Sequence, residues 1–201
     1  MITYIIIGIT ALVSFGCFSN QTLFSKLYFS PYLVYQNRGE AFRFLSHGFV
    51  HADSMHLIFN MLTLFFFGPA LEGSVMSSPE FLFFYLSAIV FASLPVYPKH
   101  KNNPNYIAVG ASGAVSAIMY SCVLYYPWST IYLKFFIPIY FILYAVGYLV
   151  YTTYQTRNAQ DNIAHDVHLW GALYGLLYTA VLHPESLQLF IAQIFHPPFL
   201  D

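Results

Sequence analysis

The sequence predicts an all-α polytopic membrane protein: a six-transmembrane-helix bundle forming one membrane domain over residues 1–201, with a long, partly membrane-embedded loop between helices one and two. Three observations carry this. Only 7% of the residues are charged and 58% are hydrophobic, whereas ordinary soluble domains are about 25% charged. That is too little charge to cover a water-facing surface. The charges also avoid the windows 2–19, 55–71, 81–98, 105–133, 135–156 and 167–184, and a helix needs roughly 20 mostly apolar residues to cross the hydrocarbon core. Finally, the longest stretch outside these windows, 20–54, is more than half polar or aromatic. A loop that long with its own hydrophobic content is not slack, and its Tyr and Phe suit the membrane interface.

In order, helices are expected near 2–19, 55–72, 80–97, 111–127, 131–152 and 166–183. The first has no basic segment before it, and "SFGCFSN" is a poor cleavage site, so it reads as a retained helix rather than a signal peptide. The second is expected to be short and interrupted at Gly68-Pro69. The window 105–133 exceeds one span, and "YYPWST" at Pro127 provides the break before helix five. Cys17 and Cys122 fall inside predicted helices and read as packing residues. Lys and Arg are dispersed and the net charge is −1 with neutral histidines, so nothing suggests a nucleic-acid partner.

Polar groups at membrane depth are costly and need a reason. Three clusters stand out. In "HGFVHADSMHLIFNM", His56 and Asn60 are four apart and share a helix face, with His51 in the approach. Three readings stand for this group. It is interhelical glue, a metal site built from His47, His51, His56 and Asp53, or a set of donors aimed at developing negative charge. The spacing matches no HExxH-type site, and no metal or other cofactor is expected. The second cluster is "GASG", which places Ser112 in the first turn of helix four, where backbone N–H groups lack intrahelical partners. A helix cap between packing glycines explains it equally well, unless a base lies nearby.

The third cluster, "NIAHDVHLWGALYG", supplies a base. Gly171 and Gly175 follow His168 on one helical face and form a GxxxG, which lets a second backbone approach. Helix four offers a matching small face at Gly113 and Ala117. Packing the two faces together brings His168 near Ser112, while His165 falls away from the glycine face.

These residues resemble the rhomboid family of intramembrane serine proteases. The family pattern is a helix-two HxxxxHxxxN, a helix-four GxSG and a helix-six histidine followed by xxGxxxG. The chain has all three in order: His51/His56/Asn60, Gly110-Ala111-Ser112-Gly113, and His168/Gly171/Gly175. An arginine, Arg43, stands in the first loop where the family commonly shows Trp-Arg, with Phe42 in place of the tryptophan. The resemblance spans a core of about 38–183.

It implies a serine endopeptidase that cleaves transmembrane or juxtamembrane segments of membrane proteins. Ser112 would be the nucleophile and His168 its general base. His56, Asn60 and the Ser112 backbone N–H would hold the oxyanion, flanked by Gly110, Ala111 and Gly113. His51, Arg43, Glu72, Gly171 and Gly175 would support the site. Asp166, two residues before His168, points away at helical spacing and is not counted as catalytic. The partners implied are membrane-protein substrates and the bilayer itself. The location implied is the bacterial inner membrane, with the active site on the extracytoplasmic side.

Two features depart from the family. Some relatives carry a tyrosine four residues after the serine, stacked on the histidine; here that residue is Ser116, so His168 must be oriented from elsewhere. An inside N-terminus would also put Lys26, Arg38, Arg43, Lys99, Lys101 and Arg157 outside and only Lys134 near the inner side, against the positive-inside tendency. The rival readings are a non-proteolytic relative that binds transmembrane helices and a small histidine-dependent transporter.

Overall fold

The structure is a computed structural model that describes residues 1–133, 136–158 and 164–197. Lys134 and the side chain of Arg157 lie outside the described residues.

Helix α1 (Ile2–Ser19) occupies the first window as expected. Its first N–H groups have no intrahelical acceptor, and a carboxylate from another helix supplies one. Glu72 accepts from the backbone N–H groups of Ile2 and Thr3 at 2.5 and 2.9 Å and from the Thr3 hydroxyl at 2.6 Å. It also accepts from the Ser78 hydroxyl at 2.6 Å.

The long loop is a run of short helical turns. They are α2 (Gln21–Leu27), capped by Asn20; α3 (Pro31–Gln36), capped by Ser30; and α4 (Arg43–Ser46), set between 3-10 turns at Arg38–Phe42 and His47–Phe49. The Asn20, Ser30 and Asn37 side chains accept an orphan N–H at the start of α2, α3 and the first 3-10 turn, while α4 and the second 3-10 turn have no side-chain cap. Arg43 ties the run together, bonding Glu40 at 2.6 Å and the carbonyls of Ser25 and Tyr28 at 2.9 and 2.8 Å.

Helix α5 (Ser54–Ser74) starts at the Asp53 cap and runs unbroken through Gly68-Pro69. The expected interruption is absent. Proline removes one ladder bond, which a membrane helix tolerates when packed against a neighbour. The neighbour here is α1, since a Cβ on Gly68 would sit 2.7 Å from Thr3.

Helix α6 (Ser78–Ser93) passes at Leu94-Pro95 into the short α7 (Val96–His100). Helix α8 (Ser112–Tyr125) is the centre of the bundle, with Ala114, Ala117 and Ile118 fully buried. Its 14 residues span about 21 Å, short of the roughly 30 Å core. It therefore has room to begin below a membrane surface.

The stretch expected as the start of helix five instead contributes two antiparallel strands, at 130–133 and 137–140. Strand β1 (Thr130–Leu133) pairs with β2 (Ile137–Tyr140), Thr130 opposite Tyr140 and Leu133 opposite Ile137. The segments TIYL and IPIY are β-branched and aromatic, and Pro138 could not donate within a helix. Helix α9 (Phe141–Asn158) follows. Helix α10 (His165–Leu182) matches the sixth predicted element. A further helix, α11 (Glu185–Ile194), was not anticipated. It is latched to the end of α8, where Trp128 donates to the Gln193 carbonyl at 2.8 Å and Gln193 donates to the Tyr125 carbonyl at 3.0 Å.

Among the described residues, three apolar helical stretches are long enough to cross a membrane: Ile2–Ser19, Ser54–Ser74 and Ser78–His100. The protein is an integral membrane protein, mostly helical. Helix α8 is shorter, while α9 and α10 carry Gln, Thr, Asp and His within their length.

Candidate active site

The serine loop is held before its helix begins. Phe29 and Ala108 exchange backbone bonds at 2.9 Å in both directions, and Gly110 N–H donates to the His47 carbonyl at 3.0 Å. Gly110 has φ +112°, where other residues are strained, and a Cβ there would meet the His56 ring at 2.7 Å. Glycine is thus required twice over at this position.

The next residue fixes the role of His51. Ala111 N–H donates to His51 Nε2 at 3.3 Å, so the proton of that ring sits on Nδ1. Nδ1 lies 3.0 Å from Ser14 Oγ, which itself donates to the Phe49 carbonyl at 3.0 Å. One chain of bonds therefore runs from α1 through the loop histidine to the peptide before Ser112. Burial, with the neighbouring His56 adding to it, pushes the His51 pKa down to about 3 and keeps the ring neutral. Burial likewise holds His47 down to about 4, where its Nε2 lies 2.8 Å from Ser93 Oγ.

Helix α10 reaches the serine by close approach of backbones. A Cβ on Gly171 would collide with the Gly113 carbonyl, and one on Gly175 with the Ala117 carbonyl. This is the pairing of small faces that the GxxxG spacing predicts. It places His168 Nε2 2.7 Å from Ser112 Oγ, with both residues partly exposed. His165, by contrast, is buried, its ring edge-on to His168 at 6.1 Å and to Tyr151 at 5.7 Å.

On the other side of the serine loop, His56 lies over Gly110, its ring 4.9 Å from that of His51. Asn60 is buried one turn along and donates to the His56 carbonyl at 2.9 Å. Asp53, considered above as a metal ligand, caps α5 by accepting from His56 N–H at 2.9 Å. Asp166 turns away from His168, toward Lys99 at 3.1 Å, Tyr106 at 3.3 Å and His100 at 3.4 Å. Arg43 and Glu72 lie at the structural junctions described above, away from the serine.

The residue that sequence reasoning missed is Tyr148. Its hydroxyl lies 3.1 Å from His168 Nδ1, and the two rings are inclined by 27°. Nothing marks it among the tyrosines of helix α9. The only clue was Ser116, whose small side chain leaves the orientation of His168 to another element.

An apolar groove of about 710 Å³ lies between α5, α8 and α9. Phe59, Phe66 and Ala70 of α5 form one wall, Phe141 and Tyr144 of α9 the other, and Met119 and Cys122 of α8 the floor. Strand β1 closes one end of it.

With this geometry in hand, comparison with known proteins decides the family. Residues 38–185 match the Rhomboid domain. The chain belongs to the rhomboid family. RHOMBOID-like protein 12, mitochondrial, of Arabidopsis thaliana is 29% identical over 150 residues, which cover 67% of this chain and 44% of that protein. Rhomboid-related protein 1 of Caenorhabditis elegans is 30% identical over 182 residues, 83% of this chain and 46% of the relative. A candidate rhomboid protease, YdcA, of Bacillus subtilis (strain 168) is 34% identical over 77 residues, 38% of this chain and 37% of that protein. This rhomboid thus matches less than half the length of each relative. The relatives include eukaryotic proteins, one of them mitochondrial, so family membership does not carry the expected bacterial inner membrane.

Proposed function

We propose that this rhomboid is an intramembrane serine endopeptidase working through a Ser112–His168 dyad in a six-span bundle. The observation that carries the reading is the 2.7 Å contact between Ser112 Oγ and His168 Nε2, at a helix start where both side chains are partly exposed. A serine hydroxyl is a weak nucleophile until an adjacent base takes its proton. Neutral His168 accepts that proton at Nε2 as Ser112 Oγ attacks the peptide carbonyl carbon. The carbonyl oxygen becomes an oxyanion beside the Ser112 N–H, at the dipole-positive end of α8. His56 and Asn60, on the facing side of the loop, add donors to it. His168 then gives its proton to the leaving amine, and water, deprotonated by the same ring, releases the acyl group and restores Ser112.

The substrate is a transmembrane or juxtamembrane segment of another membrane protein. A helix hides its peptide carbonyls in its own hydrogen bonds, so the segment must unwind locally to be cut. The apolar groove between α5 and α9 suits its approach from the lipid. No cofactor enters this chemistry.

The test is labelling of purified protein by a fluorophosphonate, which reacts with an activated serine. Wild type is expected to label, and Ser112→Ala and His168→Ala to lose it. Loss of one oxyanion donor costs about 10²–10³-fold in related chemistry, so His56→Ala and Asn60→Ala should slow cleavage of a transmembrane substrate without abolishing it. Absence of labelling in folded wild type would move the assignment to a non-proteolytic helix-binding role.

A further inference from the structure

A histidine that acts as base toward Ser112 must present a lone pair at Nε2 and carry its proton at Nδ1. A two-residue dyad has nothing to enforce this, because either tautomer of neutral imidazole can bond a serine hydroxyl. The geometry points to Tyr148 as the positioning residue that enforces it: its oxygen accepts from His168 Nδ1–H, while its own proton is directed to Ser116. This rests on the dyad assignment proposed above.

The observations are independent of that assignment. Tyr148 Oη lies 3.1 Å from His168 Nδ1, on the opposite side of the ring from the 2.7 Å contact with Ser112. Ser116, one turn below Ser112 on α8, is buried beside the Tyr148 hydroxyl. A tyrosine hydroxyl has one proton to give. Given to Ser116, it leaves the phenol oxygen as the acceptor for Nδ1–H. The departure at 116 and the tyrosine at 148 are then two halves of one arrangement, in which a small hydroxyl on α8 makes room for a ring from α9 and takes its proton.

Tyr148 also stacks on Tyr144 at 5.7 Å and 14°, and Tyr144 forms part of the groove wall. The group that orients the base is therefore carried by the helix against which an incoming segment would lie.

Among the described residues, His165, Tyr151, Asp166, His51 and His56 are turned to other partners or meet His168 by ring contact. His165 lies edge-on at 6.1 Å, Tyr151 meets His165 edge-on, and Asp166 is engaged by Lys99, His100 and Tyr106. On the far side of the serine loop, His51 is bonded to Ser14 and Ala111, and His56 lies over Gly110.

The experiment is the rate of fluorophosphonate labelling from pH 5 to 9 for wild type, Tyr148→Phe and Ser116→Ala, each with a thermal unfolding curve. Tyr148→Phe keeps the ring and removes the acceptor. It should label about tenfold more slowly, since misplaced general-base catalysis loses only part of its usual 10²–10⁴-fold effect. Its acid limb should move to lower pH, because the imidazolium loses a hydrogen-bond acceptor. Ser116→Ala should change both in the same direction by less. An unchanged rate and profile in Tyr148→Phe would overturn the proposal. So would an acid limb moved to higher pH, which would mean that Tyr148 donates to Nδ1 and holds the opposite tautomer. If Tyr148→Phe unfolds, Ser116→Ala decides by the same two readings. Loss of labelling in Ser112→Ala with a normal wild-type rate keeps the dyad standing whichever way Tyr148 falls.

Discussion

Alanine at Gly171 tests the link between helix packing and the proposed dyad most directly. A Cβ on Gly171 would collide with the carbonyl, carbonyl carbon and Cα of Gly113. All three are backbone, so no side chain can rotate away. Restoring ordinary contact of 3.4 Å or more requires α10 and α8 to part, by roughly an ångström given the overlap. Overpacking of this kind costs about 1–3 kcal/mol. The chemical cost should be larger. His168 lies three residues before Gly171 on the same helix, and a misplacement of about 1 Å can cost about 10²-fold in rate. Gly171→Ala is therefore expected to label with fluorophosphonate about a hundredfold more slowly while remaining folded in detergent. Gly175→Ala makes the equivalent collision with Ala117 a turn further from His168, so it should lose similar stability and less activity. Gly147→Ala on α9 is the control, since nothing lies within 4 Å of its added carbon; it should be neutral or stabilising by up to about 1 kcal/mol. A Gly171→Ala protein that labels at the wild-type rate would refute the claim that backbone contact sets the Ser112–His168 distance.

Three further outcomes are expected. The buried histidines make stability depend on pH: above about pH 6.5 both folded and unfolded states hold them neutral and nothing is lost. Below it the unfolded state takes up protons that folded His47 and His51 refuse, until pH falls to about 4 and 3 respectively. Stability should thus drop by about 1.4 kcal/mol per pH unit for each ring, read as a falling Tm between pH 6.5 and 4.5; a flat Tm there would contradict it. Glu72→Ala strips acceptors from Ile2, Thr3 and Ser78 and should cost about 2–4 kcal/mol, with Glu72→Gln in between, measured by thermal unfolding. His51→Ala frees the Ala111 N–H from Nε2 and should slow labelling about tenfold at a modest loss of Tm, because a displaced serine loop is a geometric fault before it is a folding fault.

Much of the arrangement was legible because it rests on short-range rules. Gly171 and Gly175 follow His168 at helical spacing, and Gly113 and Ala117 repeat that spacing on α8. Small faces with a matching period have one natural way to pack. The charge-free windows located the helices for the same reason. What stayed hidden was long-range. The paired strands at 130–133 and 137–140 lie in an apolar run, and composition alone does not separate a strand from a helix start. Glu72 could be read as structural, but not as the cap of α1, because the two are adjacent only in space. Tyr148 was lost among the tyrosines of α9, since aromatic residues in a membrane helix carry no address.

The two partners of the proposed dyad are held by different means. Ser112 follows a loop bonded to Phe29, His47 and His51, and its helix is buried along most of its length. His168 is placed along its helix by glycine contacts with α8, but its ring angle also depends on Tyr148. That tyrosine comes from α9, whose Leu143, Val146, Val150 and Tyr154 are exposed. The apolar groove separates its wall from that of α5. A segment arriving through the groove would press on Tyr144 before it met Ser112, and Tyr144 stacks on the ring that aims the base. Substitutions at Tyr144 should therefore affect cleavage of a transmembrane segment more than labelling by a small fluorophosphonate, which need not enter through the groove. Equal loss in both assays would instead mean that Tyr144 only supports the packing of α9.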